Sequence, residues 1–238
     1  YCGYENTLPE DVIRHFKAKG SIILYDRTHS YLMEDEQVAF DYAFVSLRKW
    51  MGVATGAAIE GLDAVDLSAC PYAEVKIQAM KAKYRYLNGD LSVEKAAFLE
   101  AFARFGKLLE SDYRNYGMDN LSYALLKSQD LERMRSQRLA NAAYLHENLR
   151  FDFLGELSGK SCPLFVPVIC ASYAEREKLR KVLLETQIYC PVHWPKNSMI
   201  TSNMKVNQLF DCELSLLCDQ RYGLEEMAFI VKKIKETN

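Results

Sequence analysis

The chain has 238 residues, enough for one large α/β unit or two modest domains, and its 49% hydrophobic and 26% charged content excludes intrinsic disorder as the default. Against 30 basic side chains stand 32 acidic ones, a formal net charge of −2, with no long run of Lys or Arg. Nucleic acid and membranes are therefore not expected as partners.

The opening Tyr1-Cys2-Gly3-Tyr4 lacks an initiator Met and reads as the end of a strand running into a helix, so a missing N-terminal part is expected. Pro9, Glu10 and Asp11 suit a first helical turn, Val12, Ile13 and Phe16 follow at helical spacing, and Gly20 ends the pattern. Ser21-Ile22-Ile23-Leu24-Tyr25, ending at Asp26, is a continuous apolar run of the kind that forms a strand buried on both faces of a parallel sheet. Further strands are expected over Val38 to Val45 and over the Gly/Ala-rich Val53 to Ile59. From Ala73 to Leu149 the composition turns to Ala, Leu, Lys, Glu and Met, with breaks at Asn88-Gly89-Asp90 and Tyr116-Gly117-Met118-Asp119-Asn120. Three or four helices are expected there, the last rich in Arg and long enough to link two domains.

Beyond them, Pro163 to Ile169 reads as a strand, with Pro167 placing it at an edge or bulge. Ser172 to Thr186 is expected to be helical, Glu213 to Cys218 a strand, and Leu224 to Lys235 a closing amphipathic helix. A small α+β domain thus begins near residue 151. Seven cysteines (Cys2, Cys70, Cys162, Cys170, Cys190, Cys212, Cys218) form an odd set with no CxxC pair, so free thiols in the cytoplasm are expected and no metal site is. No apolar stretch approaches the ~20 residues of a membrane span, and no signal-peptide pattern is visible.

Few residues carry chemistry. Asp26 ends an apolar strand, where open parallel sheets place ligand-binding groups, although an Asp there also commonly caps the following loop. His29, three residues on, could reach the same ligand edge or simply bond nearby backbone. Ser46 and Lys49 follow another strand; Lys49 is flanked by apolar Leu47, Trp50 and Met51, and a lysine amine becomes a nucleophile when its pKa is lowered. Arg221 could bind a substrate carboxylate in two-point geometry or pair with Asp219. His193 could line a substrate pocket or pack inside an aromatic turn.

Taken together, Asp26-Arg27-Thr28-His29, Ser46-Leu47-Arg48-Lys49 and the Gly/Ala-rich segment resemble the cofactor site of fold-type I pyridoxal-phosphate enzymes, most closely the DegT-type aminotransferases. Arg138 and Asn141, Cys162 to Val168, Ile188 to Pro195 and Leu214 to Tyr222 extend the likeness over nearly the whole chain. The resemblance implies pyridoxal 5'-phosphate as cofactor: Asp26 on the pyridinium nitrogen, His29 at the ring, Ser46 on the phosphate and Lys49 as Schiff-base lysine and general base/acid. It implies His193 and Arg221 on the substrate side, a small-molecule amine donor and oxo acceptor, and a homodimer. The fold it implies is α/β, the C-terminal part of a large domain with a mostly parallel sheet (residues 1–120), a linking helix (121–150) and a small α+β domain (151–238). One departure stands out. The Ser-to-Lys gap is only three, and Thr55-Gly56-Ala57-Ala58 replaces the Gly-Glu-Gly-Gly-like stretch of sugar aminotransferases, which leaves the acceptor open. A lyase, a racemase or a cofactor-binding regulatory relative are the alternatives, while a desulfurase lacks its Cys on a Gly-rich loop.

Overall fold

The structure is a computed structural model that describes residues 2–4, 10–34, 38–63, 66–112, 114–193 and 204–237. The chain forms two compact units, one from residues 21–28 and 40–129, the other from 1–20, 29–39 and 130–238.

The first unit is built on a three-stranded sheet of β1 (Leu24–Asp26), β2 (Tyr42–Ser46) and β3 (Ala57–Glu60). β1 runs parallel to β2, with Asp26 opposite Phe44, whereas β3 returns antiparallel, with Ile59 opposite Phe44. The sheet is thus mixed, and the segment expected as a strand from Val53 onward is a loop until Ala57. The apolar run at 21–25 also behaves differently from its pattern: only its end is a strand, and Ile22 and Leu24 are each 67% exposed. Ala43 and Val45 are buried on one face of β2, while Phe44 on the other face is exposed. An apolar run marks two-sided burial only where layers cover both faces, and here the described residues cover one.

Helices α2 (Ala73–Leu87) and α3 (Lys95–Ser111) follow, separated at the Asn88-Gly89-Asp90 break, where Gly89 takes φ +83°. Ala73, Ile77 and Phe105 from this pair close a small core over Ala54 and Cys70. Helix α4 (Asn120–Lys127) starts at Asp119, whose carboxylate accepts from Ser122 N, the usual way of satisfying an orphan N–H in a first turn.

The second unit begins its described course with α1 (Glu10–Ala18), a short helix with no buried side chain. Residues Cys2 and Gly3 are not strand; their carbonyls accept from Leu164 N and Cys162 N. A second three-stranded sheet is antiparallel throughout, in the order β4 (Asp152–Phe153), β5 (Val166–Ile169), β6 (Glu213–Leu216). Helices α5 (Leu131–Asn148), α6 (Tyr173–Glu185) and α8 (Leu224–Lys235) bury Leu145, Leu179, Leu183, Met227 and Ile230 against Val166, Val168, Leu214 and Leu216. Each such aliphatic side chain, fully buried, contributes about 2 kcal/mol. Helix α7 (Met204–Cys212) and strand β4 carried no sequence signal read above.

Pro167 lies in the central strand rather than at an edge or bulge. The N and O of one strand residue point to the same side, and the Pro167 carbonyl accepts from Leu154 N at 3.0 Å. Its missing N–H therefore faces the end of two-residue β4 and removes no bond to β6. Inside α5, Arg138 donates to Pro163 O and Leu164 O, and Asn141 Nδ2 donates to the carbonyls of Cys218, Asp219 and Tyr222, so both buried polar groups pin loops. All seven cysteines are buried and unbridged. No helix among the described residues is long and apolar enough to cross a membrane.

Candidate active site

Because β1 and β2 are parallel, their carboxyl ends fall at the same end of the sheet, and Asp26 and Ser46 are the last residues of the two strands. Asp26 pairs in register with Phe44, and Ser46 lies two residues past Phe44, so the Asp26 and Ser46 side chains leave the same face of the sheet. That is the face on which Phe44 and Ile59 are exposed.

Thr28 ties the two strand ends together. Its backbone N–H donates to Asp26 Oδ1 at 2.9 Å, closing a turn over the carboxylate. Its hydroxyl accepts from Ser46 N at 3.1 Å, and its carbonyl accepts from Trp50 Nε1 at 2.7 Å. Arg27 N adds a bond to Phe44 O at 2.8 Å, and the Arg27 guanidinium reaches Glu60 at 2.9 Å. The loop-capping role weighed for Asp26 is thus realised, and it engages one carboxylate oxygen.

After Ser46 the chain makes a single 3₁₀ turn, Leu47–Lys49, closed by the Trp50 and Met51 N–H groups donating to Leu47 O. Side chains three apart eclipse one another in this helix type. Leu47 and Trp50 are accordingly buried together, and Arg48 and Lys49 turn outward. The apolar flanks of Lys49 are buried while Lys49 itself is exposed, and no carboxylate pairs with its ammonium among the described residues.

The loop after the lysine is fixed by a buried polar network. Thr55 Oγ1 donates to Asp119 Oδ2 at 2.5 Å and accepts from Asp119 N at 2.9 Å, while Ala54 N and Thr55 N both donate to Ser122 Oγ, at 2.9 and 3.3 Å. Burial pushes the Asp119 carboxyl up, but hydrogen bonds from Ser122 and Thr55 outweigh it and leave the pKa below the usual carboxylate value. Beside this loop lies a cavity of about 460 Å³ lined by Gly52, Ala54, Ile77, Met80, Tyr84 and Leu125 among others. Thr28, Trp50, Asp119 and Ser122 were not singled out from the sequence. The Asp-x-x-Ser spacing at 119–122 is a readable N-cap signal, whereas the staple made by Thr28 has none.

The other unit holds the remaining candidates. His29 and His193 come together edge to face, with ring centroids 5.7 Å apart, and Phe165 packs on His193 at 4.6 Å. Cys2 Sγ lies 3.8 Å from His29 Nδ1, and Ser215 Oγ lies 3.0 Å from His193 Nδ1. Arg221 forms the Asp219 pair, with Nε to Oδ1 at 2.8 Å and Nη2 to Oδ2 at 2.7 Å, its side chain 72% exposed. That fork raises the Arg221 pKa, and it brings Asp219 below its usual value although burial pushes the other way. Trp194 and Pro195, part of the family-like segment, lie outside the described residues.

No family model and no curated protein matches the chain. Solved structures do. A DegT DnrJ EryC1 StrS aminotransferase from Brucella abortus superposes with a TM-score of 0.61 at 15% identity, over 97% of this chain and 61% of that one. The aminotransferase TlmJ from Streptoalloteichus hindustanus gives 0.63 at 15% identity, over 100% and 63%. This chain has the α/β fold of these aminotransferases. A third match, ntda from Bacillus subtilis with bound cofactor PMP, gives 0.59 at 15% identity, over 99% and 54%. The chain therefore spans little more than half to under two thirds of the length of the structures it resembles.

Proposed function

We propose that the chain is part of a pyridoxal-phosphate-dependent aminotransferase of the DegT type, moving an amino group from an amino acid donor to an oxo acceptor. The observation that carries the reading is that Asp26 and Ser46 end two adjacent parallel strands and are both bonded by Thr28, with Lys49 exposed on the turn that follows Ser46. The fold likeness to aminotransferases, one with bound PMP, supports it.

The donor set fits the cofactor. A carboxylate with one oxygen engaged by Thr28 keeps the other to accept from a protonated ring nitrogen, and the Ser46 hydroxyl on the same face can donate to a phosphate. Lys49, exposed one turn past Ser46, offers a primary amine for covalent attachment. Pyridoxal phosphate, when bound, supplies the electron sink that stabilises negative charge at the substrate α-carbon. With the cofactor bound, the Lys49 amine would take and return the proton at that carbon, and Asp26 would keep the ring nitrogen charged. Thr28, bonded to both Ser46 and Trp50, ties the two turns that carry these groups to each other.

The roles of His29 at the ring and of His193 and Arg221 at the substrate rest on the resemblance; Arg221 would meet a substrate carboxylate by exchange from Asp219. The same holds for the homodimer and for the division into a large-domain remainder (1–120), a linking helix (121–150) and a small domain (151–238). A desulfurase is disfavoured by the burial of all seven cysteines, which for Cys170 pushes the thiol up to about 11 and for Cys162 and Cys190 up to about 12.

Purified protein given pyridoxal phosphate should develop an absorbance band in the visible to near-ultraviolet that Lys49→Ala removes. A protein that stays colourless sinks the cofactor reading. A coloured protein that exchanges its amino group with no amine donor indicates binding without turnover instead.

A further inference from the structure

Strand β6 is buried at all four positions, and two of them, Glu213 and Ser215, are polar. Buried polar groups need partners, and the partners of this pair define a relay. Ser215 Oγ donates to Glu213 Oε1 at 2.5 Å and lies 3.0 Å from His193 Nδ1. A hydroxyl has one hydrogen and two lone pairs. Once that hydrogen goes to the carboxylate, Ser215 can only accept from the imidazole, so Nδ1 is the nitrogen that bears hydrogen. Burial pushes the Glu213 carboxyl above its usual value, and the Ser215 hydroxyl pulls against that shift. The carboxylate thus reaches the His193 ring through Ser215.

We infer that Glu213 and Ser215 are positioning residues that hold His193 in the Nδ1–H tautomer, making Nε2 the basic nitrogen of a substrate-side histidine. The inference rests on the proposed aminotransferase reading for its substrate role alone; the tautomer follows from the geometry within one unit. Among the described residues the ring also meets His29 edge-on and Phe165, which hold its plane. Arg176 of α6 donates to the Glu213 main-chain carbonyl at 3.3 Å and faces Glu213 as the nearby positive charge. A neutral imidazole of this tautomer accepts at Nε2 and cannot donate there. On that reading, a substrate group that meets Nε2 has to be a hydrogen-bond donor, an ammonium or a hydroxyl, rather than a carboxylate oxygen.

The test uses protein with ¹⁵N-labelled histidine at about pH 8, above the ordinary imidazole pKa, with His193→Gln assigning the resonances. Wild-type His193 should show the Nδ1–H pattern, Ser215→Ala should move it to Nε2–H, and Glu213→Gln should lower the Nδ1–H fraction. A wild-type ring already in the Nε2–H form, or a folded Ser215→Ala protein with an unchanged ring, overturns the relay. Should Ser215→Ala not fold by circular dichroism, the wild-type tautomer alone decides. In the loaded enzyme, Ser215→Ala should raise KM for the amine donor roughly tenfold with kcat within about twofold. An unchanged KM beside a shifted tautomer overturns the donor-group assignment. These spectra need no cofactor, so a protein that stays colourless with pyridoxal phosphate would remove the aminotransferase reading and leave the tautomer result standing.

Discussion

The described residues form two three-stranded sheets of similar size that treat their polar residues in opposite ways. In β4-β5-β6 the helices of the same unit cover the sheet, and every polar side chain of β6 is committed: Glu213 to Ser215, and Ser215 to Glu213 and His193. In β1-β2-β3 one face is open, and Asp26 and Lys49 stand exposed at its end with part of their bonding capacity unspent. Burial forces hydrogen bonds to be completed and so produces rigid positioning; exposure at a strand end leaves groups available for a ligand.

The contrast breaks first at Lys49. Lys49→Ala should lower amino exchange by about 10²-fold or more, the scale of losing a positioned general base, in a proton-exchange or transamination assay, while leaving the melting temperature unchanged because the side chain is exposed. Residual exchange near wild type would mean that another amine does the work.

The covered sheet should fail through stability instead. Leu214, fully buried between helices, should cost about 2–5 kcal/mol as Leu214→Ala in urea unfolding. Ile59→Ala, 57% exposed on β3, should cost under about 1 kcal/mol. Equal losses at the two sites would erase the difference between the sheets.

Acid sharpens the comparison further. Asp119 and Asp219 both have pKa values below the ordinary carboxylate range, in each case because hydrogen bonds outweigh burial. A lowered folded-state pKa means the stabilisation is complete above the unfolded value of about 4 and is lost as pH falls through the folded value. Circular dichroism should therefore show stability falling below about pH 4, with Asp119→Asn less stable at neutral pH and less sensitive to acid. A flat acid profile in the wild type would contradict the network around Thr55.

The smallest effect concerns Thr28. Thr28→Val keeps the shape and removes the hydroxyl that accepts from Ser46 N, at about 1 kcal/mol, with weaker pyridoxal-phosphate binding by titration; Thr28→Ser should restore both. Failure of the serine to rescue would assign the loss to packing.

Helices were the most readable part of the sequence. Asn88-Gly89-Asp90 breaks a helical run because Gly89 needs positive φ, and Ser172 announces α6 because its hydroxyl accepts from Glu175 N at 3.2 Å. Strands were less readable. Ile22 and Leu24 carry the apolar pattern of a covered strand yet are exposed, and Pro167 carries an edge signal yet sits centrally, because burial and the side a missing N–H faces depend on neighbours remote in the chain. Asp26, Ser46 and Lys49 could be named because their order along the chain resembles a known cofactor-site pattern, and the segments that carry them lie close in sequence.

What the sequence by itself determined is local: where most helices break, that one strand ends in Asp26 and another just before Ser46, and that a lysine follows with apolar residues on either side. Tertiary structure decided the rest. Whether Lys49 is covered depends on the i, i+3 eclipse that buries Leu47 with Trp50 and turns the lysine out, and on a Thr28 staple formed across 18 and 22 residues of chain. Which nitrogen of His193 bears hydrogen depends on Ser215, 22 residues away, because direction in a hydrogen-bonded relay is set by the partner at its far end.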